Sequence, residues 1–380
     1  MNTTPSHDFE STRALLTLTL AGGPHLARKQ LLEHYGDPRS ALHAGSTAWT
    51  QAGCNAEQIA RLQRPDDAAI EAILIWRDSG HRHVIGLHDP DYPALLRRTA
   101  NPPLTLFVEG DPTLLWHPAI AVVGSRTPSA GGRDHARNFS RAICRAGLAV
   151  VSGMAAGIDA AAHGVALDMH GTTIAVLGTG PDVPYPAHHH ELRERIAAQG
   201  AIVSEHPPGT GPRAAHFPAR NRIIAGLALG TLVVEAAHRS GALITARLAS
   251  EAGREVFAIP GSIHNPMARG CHRLIRDGAT LVEQPGDVLD GVAALSAELA
   301  SALQERLAET EPDTPGNQTA QSTPDPDYQR LWVALGHDPT PMDSLVERTG
   351  LTTAALSSML LLMELEGRVV VEHGRYTRNS

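Results

Sequence analysis

The sequence predicts a doubly wound α/β core between a helical N-terminal region and a small winged-helix tail, and three observations carry that prediction. Seven short apolar runs, AIAVVG, LAVVSG, TTIAVLGTG, AIVSE, TLVVEA, EVFAIPG and ATLVE, follow one another between Ala119 and Glu283, each ending in small or polar residues. Runs buried on both faces and separated by helix-length crossovers are what a parallel sheet demands. Ahead of them, leucines recur at helical spacing. Behind them, an acidic, Pro-rich stretch leads into ERTGLTTAALSSMLLLMELEG, whose spacing fits a helix-turn-helix; Arg368–Glu372 and Gly374–Tyr376 then fit a two-stranded wing.

Residues 1–65 read as a small helical domain. Leu15, Leu16, Leu18 and Leu20, then Leu26, Leu31, Leu32 and Tyr35, flank a Gly22-Gly23-Pro24 break. Such a unit suits either a helix-hairpin-helix contact to a DNA backbone or a structural, protein-contact module, and its few basic residues favour the second. Residues 66–117 read as a connecting region with a helix near Ala68–Asp78 and an extended Leu104–Val108. The core spans 118–290, and in such sheets ligands sit beyond the carboxyl ends of the strands. Residues 291–326 read as a flexible, acidic, Pro-rich linker. Residues 327–380 form the winged helix, with helical patterns over Tyr328–Leu335, Met342–Thr349 and Thr352–Gly367. Its net negative charge favours a protein-contact or regulatory role over strong DNA binding.

Composition removes several function classes. The chain has 380 residues, 32 Lys+Arg against 40 Asp+Glu and a net charge of −8, so it is no polycationic nucleic-acid binder. No run approaches the roughly eighteen apolar residues of a membrane span. Met1–Glu10 is polar and acidic, without the features of an export signal, and a cytoplasmic location is expected. Cys54, Cys144 and Cys271 lack CxxC spacing and read as buried thiols. Lys29 is the single lysine beside 31 arginines. A Walker A loop or Schiff-base chemistry therefore has no lysine in the central part of the chain. Phosphate recognition there must use arginine and backbone N–H groups. The stretch Ser204–Arg276 holds nine Arg against four Glu, a basic island in an acidic protein.

The strand ends carry the chemistry. Gly124-Ser125-Arg126 joins a close-approach glycine, a hydroxyl and a guanidinium before a helix, which makes a phosphate cradle without lysine. In SGMAAGIDAAAH, Asp159 and His163 are four apart; either they form an acid/base pair or, more simply, Asp159 fixes a loop and His163 is a satisfied partner. Three consecutive imidazoles, His188 to His190, cannot converge on one metal, and none is expected. In Phe217-Pro218-Ala219-Arg220-Asn221-Arg222, guanidinium groups and helix N–H donors meet beside an aromatic ring, which fits sequence-tolerant single-strand binding; a core Phe beside structural ion pairs is the alternative. Arg239-Ser240-Gly241 through Thr245 opens another small-residue helix. No GxGxxG follows a strand, so dinucleotide binding has weak support and no cofactor is expected.

These pieces in this order, GSR, SGMAAGIDAAAH, YP, SEHPPG, FPARNRIIAGL, VVEAAHRSGALITA, GREVFAIPG and GCHRLI with DGA, resemble the DNA-processing protein A (DprA/Smf) family from about Leu104 to Leu289. The resemblance implies an extended Rossmann-like core that binds and protects single-stranded DNA, dimerises, and loads the recombinase RecA during natural transformation and homologous recombination, without catalysis. It implies a nucleic-acid-binding set of Gly124, Ser125, Arg126, Gly153, Arg213, Phe217, Arg220, Asn221, Arg222, Ser240, Gly241 and Thr245. It also implies a dimer surface near His272, Leu274, Ile275 and Leu281. The sequence departs from the family where members often carry a lysine: Ala187, His188 and His189 follow the YP pair, and Arg213 and His216 precede the FP pair. Stronger DNA binding near pH 6 than near pH 8 is expected from those histidines. Two other classes stay in view. A phosphoribohydrolase-like enzyme would use Glu235 as its acid, although the PGG ahead of its loop is missing. A pure adaptor would bind no ligand in the α/β layer.

Overall fold

Two strands from the expected connecting region, β1 (Arg82–Gly86) and β2 (Thr105–Gly110), begin a nine-stranded sheet. The seven apolar runs supply the rest: β3 (Ala119–Val123), β4 (Ala149–Ser152), β5 (Thr173–Val176), β6 (Ala201–Ser204), β7 (Gly230–Val233), β8 (Glu255–Ala258) and β9 (Thr280–Leu281). The order is β1-β2-β6-β5-β4-β3-β7-β8-β9, with β3 to β9 parallel and β1 and β2 antiparallel to their neighbours. The stretch 66–117 is therefore no mere connector: Phe107 pairs with Ser204, and Leu106, Phe107 and Val108 are fully buried. This computed structural model describes residues 5–310, 326–335, 340–351, 356, 359–360, 363, 369–372 and 375–378.

Side chains alternate across each strand, so successive residues of β3 serve different layers. Ala119, Ala121 and Val123 join one core with α11 (His216–Leu227) and α12 (Gly241–Glu251), through Ile223, Ile224, Leu227, Ala242 and Ala246. Ile120 and Val122 join the other, with Phe139 and Ile143 of α8 (Ala130–Arg145), Ile158 and Ala162 of α9 (Ile158–Asp168), and Val288 and Val292 of α14 (Pro285–Thr310). Helices α7 (Ala94–Arg97), α10 (His190–Gln199) and α13 (Arg269–Arg276) complete the layers. The helix α14 overturns part of the expected linker. Its ALSAELASALQERLAE segment is rich in strong helix formers, and Leu299 is buried against the sheet. Residues 311–325 of that linker lie outside the described residues.

Helices α1 (Pro5–Leu20), α2 (His25–Tyr35), α3 (Pro38–His43), α4 (Gly45–Gln51), α5 (Ala56–Gln63) and α6 (Asp67–Asp78) make up the N-terminal part. Leu15, Leu18, Leu31, Leu32 and Trp49 belong to the same core as Ile85 and Leu106, so this part shares its interior with the sheet. The Gly22–Gly23 hairpin between α1 and α2 is held by two side chains. Gln58 donates to the carbonyls of Gly22 (2.7 Å) and Pro24 (3.0 Å), and Arg28 donates to that of Thr19 (2.7 Å).

The tail is a separate unit, residues 306–380. It holds α15 (Pro326–Leu335), β10 (Thr340–Pro341), α16 (Met342–Thr349), β11 (Val369–Glu372) and β12 (Arg375–Arg378), with the strands in the order β10-β12-β11. Leu331, Leu335, Leu345, Leu356, Leu360, Met363 and Val369 form its core. Most of the expected Thr352–Gly367 helix lies outside the described residues.

Candidate nucleic-acid interface

From β3 the chain winds one way through β4, β5 and β6, then returns to the other side of β3 for β7, β8 and β9. The loops after β3 and β7 diverge at that reversal and leave a crevice, the usual ligand position of a doubly wound sheet. A cleft of about 840 Å³ lies there, and the segments after β3, after β7 and at the start of α11 line it.

The loop Gly124-Ser125-Arg126 forms one wall. Its shape is fixed from below. Gly157, at φ +88°, lies so close that a Cβ there would strike the Ser125 carbonyl and the Arg126 backbone. The Ser125 hydroxyl accepts from the Thr127 amide at 3.1 Å. Arg126 is exposed and, among the described residues, has no ion-pair partner. Across the cleft, Arg239 is likewise exposed, and Ser240 caps α12 by accepting from the Ala242 amide at 3.3 Å. Gly241 and Thr245 continue that wall. Asn221 ties the two helices together: its Nδ2 donates to the Gly241 carbonyl at 3.3 Å, and its Oδ1 accepts from Arg220 Nε at 3.0 Å. Phe217 meets Tyr185 with ring centroids 4.7 Å apart, and both rings line the cleft, Tyr185 with 40% of its surface exposed. Two exposed guanidiniums and an aromatic pair on one cleft can take phosphates and a base face together.

Arg220 lines the cleft, but it is buried and its Nε and Nη1 donors are already used. Nη1 donates to the carbonyls of Gly153 (2.8 Å) and Val176. Asp159 sits nearby and accepts from the amides of Gly153 (3.2 Å) and Ala155 (3.3 Å). Burial pushes the Asp159 carboxyl above its ordinary value, against the pull of Arg220 and those amides. Asp159 thus fixes a loop. Its expected neighbour His163 bonds elsewhere, Nδ1 lying 2.7 Å from the Thr173 hydroxyl.

Three of the expected binding residues are not on the cleft. Gly153 is behind Arg220, where a Cβ would overlap the guanidinium. Arg213 is on the exposed loop before α11. Arg222 points away: it forms a two-toothed ion pair with Glu205 (2.7 and 2.6 Å), and its Nε donates to the Asn101 carbonyl. The physical reason is helical: residues two apart do not share a face, so Arg220 and Arg222 cannot both serve one pocket. Sequence reading missed Thr127 and Met267 on the lining, and gave Tyr185 and Arg239 no role although they lie within YP and VVEAAHRSGALITA. Met267 comes from a loop after β8 with no local signal.

The histidines around the cleft are engaged. His189 Nδ1 donates to the Met154 carbonyl (2.9 Å) and His216 Nδ1 to that of Gly178 (3.1 Å). His216 also stacks on His206 at 3.8 Å, and burial holds His206 down to about 4. His188 is exposed. Glu235 is spent as a helix anchor: it accepts from the Ser129 amide (2.9 Å) and from Asn265 Nδ2 (3.2 Å), at the start of α8. Among the described residues no group of three His, Cys, Asp or Glu could hold a metal ion.

His272, Leu274 and Ile275 lie on α13, and Leu281 on the edge strand β9. His272 Nε2 is 2.9 Å from the Gly261 carbonyl, and Leu281 is 45% exposed.

A family model for DNA recombination-mediator protein A matches residues 83–293, and one for the DprA winged helix domain matches residues 315–375. Protein Smf of Escherichia coli (strain K12) is 39% identical over 379 residues, covering 98% of this chain and 96% of that protein. DNA processing protein DprA of Streptococcus pneumoniae (strain ATCC BAA-255 / R6) is 48% identical over 201 residues, covering 53% of this chain and 71% of that protein. The X-ray structure of DNA processing protein A from Streptococcus pneumoniae matches with a TM-score of 0.67 at 38% identity, over 73% of this chain and 97% of that one. DNA processing protein A from Helicobacter pylori, solved for its single-stranded DNA binding mode, matches with a TM-score of 0.50 at 26% identity, over 59% and 96%. With its α/β sheet, its N-terminal helices and its winged-helix tail, the chain belongs to the DNA recombination-mediator protein A family, DprA/Smf.

Proposed function

We propose that this protein binds single-stranded DNA in the cleft at the β3/β7 reversal, shields it, and loads RecA onto it in natural transformation and homologous recombination. One observation carries the reading. Arg126 and Arg239 line the cleft with no carboxylate partner among the described residues, together with the Tyr185–Phe217 ring pair, in a protein where exposed arginines such as Arg61 and Arg98 are paired. The solved relative described by its single-stranded DNA binding mode supports it. The chemistry is binding rather than turnover: every polar contact described for Glu235 is structural. The protein acts in the cytoplasm as a homodimer, joined through His272, Leu274, Ile275 and Leu281. No helix among the described residues is long and apolar enough to cross a membrane.

Fluorescence anisotropy of a labelled oligothymidylate and of its duplex, over a salt series, tests the reading. A salt-sensitive preference for the single strand, largely lost in Arg126→Ala, is expected; equal affinities of wild type and variant overturn it. Release of a free base from a nucleoside monophosphate, abolished by Glu235→Gln, would replace it with the hydrolase.

A further inference from the structure

Helix α8 has the sequence AGGRDHARNFSRAICR, with arginines at every fourth position: Arg133, Arg137, Arg141 and Arg145. Its buried residues are Gly132, Ala136, Phe139, Ser140 and Ile143, while all four arginines are exposed. The stripe is unusual in this molecule. Elsewhere, several exposed helical arginines sit one turn from an acid, as Arg61 does with Glu57, Arg247 with Glu251 and Arg273 with Asp277, while Arg269 and Arg276 of α13 have no ion pair among the described residues but form no run of four. On α8 the one acid is Asp134, 3.4 Å from Arg137. Arg133 spends one donor on the Pro128 carbonyl, and among the described residues Arg141 and Arg145 have no ion-pair partner. Like charges one turn apart destabilise a helix, and a cation near its N-terminus opposes the helix dipole. Arg133 and the repulsion between neighbours work against the helix, and only Arg145, in the last turn, is favoured by the dipole.

The stripe also begins at the cleft. Arg126 and Thr127 line the cleft, the Pro128 carbonyl holds Arg133, and Ser129 caps α8. Successive arginines are about 6 Å apart along the axis, close to the spacing of phosphates on an extended strand. We propose that α8 is a second nucleic-acid track, on which the backbone of a single strand leaving the cleft past Arg126 runs along Arg133, Arg137, Arg141 and Arg145. This rests on the cleft being the single-strand site. It makes the site longer than the pocket and adds a contact that reads charge, with no Phe, Tyr or Trp exposed beside the arginines on α8.

The test is binding of two oligothymidylates to the full chain. One, of about 5 nucleotides, fills the cleft only; the other, of about 20, exceeds the span of one binding fold. The variant carries Arg→Gln at 133, 137, 141 and 145, exposed positions where glutamine keeps helix propensity; a thermal melt checks its fold. Longer-strand affinity is expected to fall at least tenfold, and the log–log salt slope by up to about 3, at roughly 0.7 for each lost phosphate contact. Shorter-strand affinity should not change. If the variant binds the longer strand as wild type does, the track is overturned while the cleft reading stands, and the stripe would belong to an acidic protein surface. If both strands weaken equally, the helix merely adds bulk charge, and the track is overturned too. If wild type binds neither strand, both readings fall.

Discussion

Arg220 closes over Gly153: its Nη1 donates to the Gly153 carbonyl at 2.8 Å, and a Cβ on that glycine would occupy the space of the guanidinium. Asp159 holds the Gly153 amide from the other side. Complete burial lowers Arg220 to about 10, with Asp159 raising it in opposition. The pair is therefore wall, and its geometry depends on a hydrogen at one position. Gly153→Ala should expel the guanidinium and leave Asp159 short of its counter-charge, a loss of about 3 kcal/mol or more. The urea midpoint reads it, and an unaltered midpoint would contradict the packing.

Arg126 presents the opposite case, an exposed guanidinium with no ion-pair partner among the described residues. Its removal should leave stability within about 0.5 kcal/mol, as for an exposed side chain away from special features. Affinity for single strands of every sequence should fall together, and the salt slope by roughly 0.7. Loss confined to one sequence would point to base reading at this position.

Arg222 shows where the sequence was legible and where it was not. The strands could be read because β-branched runs with no polar alternation have one low-energy place, inside a sheet covered on both faces. The reversal that positions the cleft could not, since strand order depends on crossovers rather than local pattern. β1 was hidden for a related reason: RHVIG, partly exposed and antiparallel at the sheet edge, is too polar to read as a core strand, whereas β2 reads as the extended Leu104–Val108 without its place in the sheet. The helix α14 lay beneath an acidic composition that reads as linker. In FPARNR the residue types point to a charged site, and only helical phase separates Arg220, which lines the cleft, from Arg222, which does not. Arg222→Ala should strand the enclosed Glu205 carboxylate and cost about 3 kcal/mol. Single-strand affinity of the folded protein should stay within twofold. A drop as large as that of Arg126→Ala would restore Arg222 to the site.

Tyr185 and Phe217 separate stacking from charge. Tyr185 is the more exposed ring and Phe217 lies tilted at 38° against it, so a base would meet the tyrosine first. Tyr185→Ala should weaken single-strand binding by about 1–3 kcal/mol while leaving the salt slope as in wild type, because no phosphate contact is lost. A reduced slope would mean that the ring positions the backbone.

Acid should destabilise the fold. Burial is the main cause that holds His25 and His206 down at about 4 and His163 at about 3, each helped by nearby positive groups. Unfolded, all three titrate near 6.5. Between those values the unfolded chain binds more protons, so stability is complete above about pH 6.5 and drains away as pH falls toward 4. Glu205 acts in the same direction. Burial alone would raise it, but the Arg222 hydrogen bonds and charge, with His206 and His25, bring it below its ordinary value. Its contribution is present above the unfolded carboxyl range and is lost on acidification. His163 is the cleanest probe, being fully enclosed and bonded only to Thr173 among the described residues. His163→Gln should flatten the fall in urea-derived stability between pH 6 and pH 4 by about 1.4 kcal/mol per pH unit, one proton's worth. A variant as steep as wild type would show that His163 takes up its proton without unfolding.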